Sequence, residues 1–307
     1  MDLSDYQELS AGTDRLPIDD RLLPLIGLGG EVGQLMAEYK KRERDKQGYR
    51  AFRDEVEEEL GDVLWYAAAL ARRNELDLSM IAEKNLTKSR DLFDSSRAVQ
   101  PLARYDAHLS PDQQLPRRLT VTLVETQDTS NSGESLQRVR MYRGVRTNDE
   151  LTIGDPLDDN SEHDDDYRYH DVFHLAHMAV LGWSPVLRRL LDCKRTDEPA
   201  TDRVQDGGRA AAIEEGVTAY IFSEAGEHTY FKTATNVPPS IVKMCGKMTC
   251  HLEVSSRSRA DWQLAILRGY LVFRQVVEHR GGVVTADLDA RTLTFEPPIA
   301  GDPAQVE

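Results

Sequence analysis

The chain has 307 residues, of which 38 are Lys or Arg and 53 are Asp or Glu, so its formal net charge is −15. This length favours two domains, and a hydrophobic content of 40% is sufficient for ordinary folded cores. The negative charge argues against binding to nucleic-acid polymers, which need a basic surface. The sequence has no apolar run of about 18 residues and no signal-like N-terminus, so we expect a cytoplasmic protein with no membrane partner.

Hydrophobic periodicity predicts a bundle of antiparallel helices over residues 1–95, joined by short polar connections. Apolar side chains surround the segment 22–28 nearly on all sides, which is typical of a buried bundle helix. Four glycines lie between residues 27 and 33, although each costs about 1 kcal/mol in a helix interior. They indicate either the close approach of another helix or a ligand, or a local bend.

Two of the predicted helices carry acidic stripes next to their apolar faces. Positions within roughly 60° of one another on each helix are Glu31, Gln34 and Glu38 on the first, and Glu55, Glu59 and Asp62 on the second. Crowded carboxylates beside a core repel one another and lose solvation. A hard divalent cation relieves both penalties, so the pattern predicts a Mg²⁺ site, with Mn²⁺ as the alternative ion. A solvated face is the common explanation of a single acidic run and is the alternative interpretation here.

A family resemblance rests on these residues. The order Gly30-Glu31-Val32-Gly33, then Glu58-Glu59-Leu60-Gly61-Asp62, then Lys84-Asn85-Leu86-Thr87-Lys88, resembles the MazG-like nucleoside triphosphate pyrophosphohydrolases. These proteins belong to the all-α NTP pyrophosphatase superfamily, and the resemblance is to its dCTPase branch. It covers roughly residues 20–95.

The resemblance implies a helical bundle that holds Mg²⁺ on Glu31, Gln34, Glu59 and Asp62. It also implies cleavage of a nucleoside triphosphate to the monophosphate and pyrophosphate, by a water that Glu55, Glu58 or Glu59 positions. Lys41, Asn85 and Lys88 are the expected substrate-binding residues. Related enzymes build their sites in oligomers, and a small bundle is marginal alone, so we expect a homo-oligomer, most simply a dimer.

Gln34 departs from the family pattern, which has Glu at this position. A neutral amide is a weaker ligand, and Glu38, Glu55 or Glu58 would have to compensate for the missing charge. The alternative function is therefore a nucleotide-binding sensor with weakened catalysis, coupled to a C-terminal effector domain.

After residue 95 the pattern changes. Three prolines and little periodicity predict a linker over residues 96–116, and alternating apolar residues then predict a small β element. Several helices and a final hairpin follow, so residues 117–298 are expected to form a second, α+β domain of unknown function. Residues 299–307 are expected to be a disordered tail. The predicted fold class is mainly α, with a helical bundle followed by this α+β domain.

A second candidate site lies in that domain, where His170, His174 and His177 share one face of a predicted helix. Histidines at i and i+4 can ligate one ion, whereas position i+7 is about 10 Å along the axis. Two of these histidines with Glu214 or Glu215 would suit a second, transition metal. The pair His170-Asp171 also resembles that of HD-type phosphohydrolases, without their other motif residues. The alternative is that these are half-buried histidines with a packing role.

Overall fold

The structure is a computed structural model that describes residues 1–93, 102–129, 135–145 and 151–298. It divides into two compact units, residues 1–89 and 90–307. The first contains helices and no strand among its described residues, and the second combines helices with one antiparallel sheet. The predicted fold class, mainly α with a small β element, is confirmed. None of the helices in the described ranges has the length and apolar character that a membrane crossing requires.

The first unit is built from two long helices and two shorter ones. Their bounds are α1 Leu3–Ser10, α2 Leu22–Asp45, α3 Phe52–Arg73 and α4 Leu78–Phe93. Helix α2 begins at Leu22 because Oδ1 of Asp20 accepts hydrogen bonds from the backbone N–H groups of Leu22 and Leu23, at 2.9 and 3.0 Å. A Cβ at Gly27 would lie 2.2 Å from the Tyr66 ring, so this glycine allows α2 to pack closely on α3.

Helix α2 is not buried on all sides, contrary to the sequence prediction. Leu25, Ile26 and Met36 are 55%, 63% and 67% exposed, and they lie on one stripe of the helix. This stripe is on the side away from Glu31, whose position is about 120–140° from these residues around the helix axis. In a single chain, α2 therefore faces α3 with its acidic side and presents an uncovered apolar side.

A buried ion pair connects the end of α3 to the segment before α2. The Asp14 carboxylate accepts hydrogen bonds from Arg73 at 2.6 Å and from Arg72 at 2.9 Å. The Arg73 guanidinium holds the pKa of the Asp14 carboxyl well below its usual range. This pair fixes the loop that precedes α2.

The sheet of the second unit contains five antiparallel strands in the order β3-β2-β1-β4-β5. The strands are β1 Arg118–Thr129, β2 Ser135–Arg143, β3 Thr152–Leu157, β4 Gly281–Asp287 and β5 Thr292–Glu296. The central pair joins distant parts of the chain, since Val121 pairs with Val284. The C-terminal hairpin therefore completes the sheet that the first strands begin.

Six α-helices lie among the described residues of the second unit. They are α5 Asp171–Ala176, α6 Pro185–Leu190, α7 Pro199–Gln205, α8 Gly208–Glu227, α9 Pro239–Met248 and α10 Arg259–His279. A π-helical turn, His177–Leu181, continues α5. The core includes Val172, Leu175, Trp262 and Phe273 together with the inner face of the sheet. Helix α5, which contains His174 and is flanked by His170 and His177, is buried at the centre of this unit.

The described part of the predicted linker, residues 102–116, is folded onto the second unit. Leu115 is 1% exposed and belongs to the core, and Asp106 forms a buried ion pair of 2.5 Å with Arg188. The sequence suggested a linker because prolines and low periodicity mark irregular backbone, whether or not that backbone is packed. Residues 94–101 and the predicted tail 299–307 lie outside the described residues.

Candidate functional sites

The first site lies between α2 and α3 and consists of three carboxylates. Glu31, Glu59 and Asp62 each offer an oxygen within 4.8 Å of the others. Oε2 of Glu59 is buried and finds no hydrogen-bond donor among the described residues. Burial, together with the charges of Glu31 and Asp62, raises the pKa of the Glu59 carboxyl. Holding these three carboxylates close together therefore costs free energy when no cation is bound.

This arrangement fits a hard divalent cation. All the candidate ligand atoms are oxygens. The buried Glu59 oxygen has no hydrogen bond, and a cation would stabilise it. Glu31 and Glu59 are half-buried while Asp62 is exposed, so the group opens to solvent on one side. A Mg²⁺ held there would keep several water ligands, as this ion prefers.

Gln34 adjoins the three carboxylates without adding charge. Its amide donates a hydrogen bond of 2.6 Å to Oε2 of Glu31. Glu38, expected to be a further ligand, is instead buried in a separate cluster. Its carboxylate accepts hydrogen bonds from Lys41, at 2.5 Å, and from the Tyr49 hydroxyl. These two bonds lower the pKa of the Glu38 carboxyl, so this cluster holds its charge without a metal.

The other predicted residues of this site take different positions. The hydrogen bond to Glu38 raises the pKa of Lys41 most, and the charge of the half-buried Glu55 adds to it, whereas Glu58 is exposed. Lys41, a predicted substrate-binding residue, forms an ion pair with Glu38. Asn85 is exposed on α4, and the Lys88 side chain lies outside the described residues.

The second site is centred on Glu214, which lies on α8 and is completely buried. One carboxylate oxygen, Oε1, lies 2.9 Å from Nδ1 of His174 and 3.2 Å from Nδ1 of His177. The other accepts hydrogen bonds from the Ser184 hydroxyl, at 3.0 Å, and from the backbone N–H of Val186, at 2.9 Å. Four donors therefore saturate this carboxylate.

The buried Glu214 carboxylate and the His174 imidazole each stabilise the charged form of the other. Burial alone raises the pKa of Glu214, but the charges and hydrogen bonds of His174 and His177 outweigh it and lower the pKa to about 2. Burial alone lowers the pKa of His174, but Glu214 and Glu215 raise it well above its ordinary value. Glu214 is therefore an anion that orients both histidines.

Glu215, the next residue on α8, faces a different space. It is half-exposed, with Oε2 3.3 Å from Nε2 of His174 and 3.9 Å from Nε2 of His170. His170, Asp171 and Glu215 line an open cavity of about 450 Å³, together with Arg189 and Asp155. Burial raises the pKa of the Asp171 carboxyl. The structure thus divides the three predicted histidines between two groups, which share His174.

Several residues of these sites were not found from the sequence. The sequence gives only a partial indication of Tyr49, as an aromatic residue just after the polar turn between α2 and α3. Ser184 stands before Pro185, which marks it only as the N-cap of α6. Arg189 and Asp155 carry no local signal, since only the packing of distant segments brings them to the cavity.

Comparison with known proteins identifies the second unit. The family model described as MazG C-terminal domain matches residues 100–299, more than half of the chain. The chain therefore belongs to the MazG C-terminal domain family. The Gene 37 protein of Mycobacterium phage L5 is 43% identical to it over 65 residues, which are 20% of this chain and 57% of the phage protein. The chain thus spans just over half the length of this curated relative. No solved structure matches the chain.

Proposed function

We propose that the first unit is a Mg²⁺-dependent nucleoside triphosphate pyrophosphohydrolase, which releases a nucleoside monophosphate and pyrophosphate. The observation that carries this proposal is the group Glu31, Glu59 and Asp62, with its buried and unpartnered Glu59 oxygen. Membership of a MazG family supports it, because the matched domain takes its name from that group of proteins. The order of motifs in residues 20–95 supports the dCTPase-like branch.

The roles of the residues follow from where they lie. Glu31, Glu59 and Asp62 would hold the cation, and Gln34 would orient Glu31 through its hydrogen bond. A bound Mg²⁺ would screen the triphosphate and polarise its oxygens. Since Glu59 is assigned to the cation, the attacking water would be positioned or deprotonated by Glu55 or Glu58. Lys41, Asn85 and Lys88 remain the proposed contacts to the substrate.

A nucleotide sensor with weak catalysis is the second candidate function. Two observations favour it: Gln34 supplies an amide where a carboxylate is expected, and Glu38 is committed to Lys41 and Tyr49. Among the described residues, the group whose oxygens lie within 4.8 Å of one another then has three carboxylates, Glu31, Glu59 and Asp62. Such a site would bind Mg²⁺ and nucleotide with little turnover.

The test is a panel of canonical, deoxy and modified nucleoside triphosphates incubated with the full chain and Mg²⁺. Products are separated by ion-exchange chromatography. A monophosphate and pyrophosphate in equal amounts would support the hydrolase. A Mg²⁺-dependent thermal shift with a nucleotide but without products would identify the sensor. A panel that gives neither turnover nor a shift would contradict both functions.

A further inference from the structure

We propose that the second unit holds a transition-metal ion on His170, His174 and Glu215, at the wall of a cavity that accepts an anion of the phosphate class. This site is separate from the carboxylate group of the first unit and does not depend on the function proposed for it. The proposal rests on the direction of the histidine nitrogens, an unpartnered buried atom and the cavity.

The Nδ1 atom of each histidine is already used. Nδ1 of His170 lies 2.9 Å from the carbonyl oxygen of Tyr167, and Nδ1 of His174 lies 2.9 Å from the Glu214 carboxylate. Both partners only accept hydrogen bonds, so each Nδ1 carries a proton and donates it. In a neutral imidazole the lone pair then resides on Nε2, and such a partner at Nδ1 is typical of metal-binding histidines.

The two Nε2 atoms lie near one carboxylate oxygen. Nε2 of His174 lies 3.3 Å and Nε2 of His170 lies 3.9 Å from Oε2 of Glu215. Two ligands at tetrahedral angles around one Zn²⁺-like ion, at ordinary bond lengths, are separated by about 3.3–3.5 Å. The three ligand atoms therefore need only small adjustments to surround an ion.

Nε2 of His174 provides the second, independent observation. This atom is buried and makes no hydrogen bond among the described residues, although Oε2 of Glu215 lies 3.3 Å from it. His174 itself is completely buried. A buried polar atom of this kind is costly unless something binds it. A metal ion between His174 and Glu215 would satisfy it.

Glu214 is excluded as a ligand and becomes a positioning residue. Its two oxygens already accept four hydrogen bonds, including one from Ser184 and one from the Val186 backbone. It fixes the tautomer and the orientation of His174, as carboxylates beside metal-bound histidines do. Of the two adjacent glutamates that the sequence offered, Glu215 is the ligand.

The ligand class follows from the cavity of about 450 Å³ beside the site. Arg189 lines it and forms no ion pair with the residues that the structure describes. The first turn of α8 also lines it, and a Cβ at Gly208 would meet nothing within 4 Å, so its backbone is open to close approach. A helix N-terminus, a guanidinium and a metal ion together attract a phosphate group, although Asp155 and Asp171 also line the cavity.

The first arm of the test measures Co²⁺ binding by the metal-free full chain, from the visible absorption and the stoichiometry. All proteins in this experiment carry Glu59→Gln, so that the first unit contributes little to the measured Co²⁺ binding. We expect one tightly bound ion with histidine ligation. His170→Gln and Glu215→Gln should each weaken Co²⁺ binding at least about tenfold. The matched surface variants His163→Gln and Glu227→Gln should bind like the parent.

Each outcome of this arm decides the metal assignment. Unchanged binding in both His170→Gln and Glu215→Gln would overturn it. Absence of histidine-ligated Co²⁺ in the parent would also overturn it and would leave His174 as a buried imidazolium between two glutamates. Circular dichroism of each variant confirms that a loss of binding is not a loss of fold.

The second arm adds inorganic phosphate to the Co²⁺-loaded protein. We expect phosphate to change the Co²⁺ spectrum at saturable concentrations. Arg189→Gln should weaken this effect without changing Co²⁺ affinity, whereas Arg203→Gln, an exposed arginine on α7, should not alter it. A spectrum that phosphate leaves unchanged, or an effect that Arg189→Gln does not weaken, would overturn the assignment of the anion.

Discussion

The Gln34 amide donates a hydrogen bond of 2.6 Å to Oε2 of Glu31, one turn away on α2. This contact places an uncharged group where the resemblance leads us to expect a carboxylate. It reduces the negative charge available to a cation, and it also orients one of the remaining ligands. The affinity of the first site for Mg²⁺ should therefore depend on this position.

Gln34→Glu should tighten Mg²⁺ binding by about tenfold, equal to about 1.4 kcal/mol, because a fourth carboxylate joins the group. The Mg²⁺ dependence of thermal stability measures this change. Gln47→Glu adds the same charge in the exposed turn after α2 and should have little effect. An unchanged Mg²⁺ dependence in Gln34→Glu would mean that position 34 does not contact the ion.

Asp14→Asn should lower the free energy of unfolding of the first unit by about 3 kcal/mol at pH 7, since it leaves the Arg73 guanidinium buried without its partner. The effect should depend on pH. The folded-state pKa of Asp14 lies below its ordinary value of 3.8, so its stabilisation is complete above that pH and is lost as the pH falls below it. Denaturation of both proteins from pH 7 to pH 2 measures the difference.

The difference in the free energy of unfolding between the wild type and Asp14→Asn should therefore become smaller in acid. The exposed variant Asp19→Asn, in the same segment, controls for the loss of one charge. A difference that stays constant down to pH 2 would show that the ion pair does not stabilise the fold. An equal loss of unfolding free energy in Asp19→Asn would show the same.

Glu214→Gln should lower the free energy of unfolding of the second unit by about 3–5 kcal/mol. An amide can accept hydrogen bonds on only one side, so either the two histidines or Ser184 and the Val186 N–H would face an NH₂ group. Urea denaturation measures the loss, and Glu227→Gln at the exposed end of α8 is the control. Equal stability of the two variants would contradict the central role of Glu214.

The uncovered apolar stripe of α2 leads us to expect a homodimer in solution. Leu25→Glu combined with Ile26→Glu should convert it to a monomer of 34.7 kDa, because burying two charges in a helix interface is costly. Light scattering after size-exclusion chromatography measures the mass. Leu9→Glu, also on an exposed apolar residue but on α1, should leave the dimer intact. A monomeric wild type would refute the prediction.

Helical periodicity was sufficient to bring Glu31, Glu59 and Asp62 to facing helices, because the stripes depend only on local geometry. Periodicity could not assign Glu38, whose partner Tyr49 lies eleven positions away across a turn. The choice between Glu214 and Glu215 was also beyond a local pattern. Adjacent helical residues point about 100° apart, and only the packing of α8 against α5 decides which one is buried.

The sheet shows the same limit at longer range. Local patterns predicted the first strands and the final hairpin, but the pairing of Val121 with Val284 depends on the whole intervening fold. The exposed side of α2 was misjudged for a related reason. An apolar face indicates burial without indicating whether the same chain or another one covers it.

The most direct test of the proposed function is the rate of Mg²⁺-dependent pyrophosphate release by Glu59→Gln, with the best triphosphate from the panel. Glu59 supplies the unpartnered oxygen of the carboxylate group, so we predict a loss of at least about 100-fold with the fold retained. Glu57→Gln, an exposed residue about 160° around α3 from Glu59, should keep the wild-type rate. Full activity of Glu59→Gln, or a loss equal to that of Glu57→Gln, would contradict a cation site at Glu31, Glu59 and Asp62.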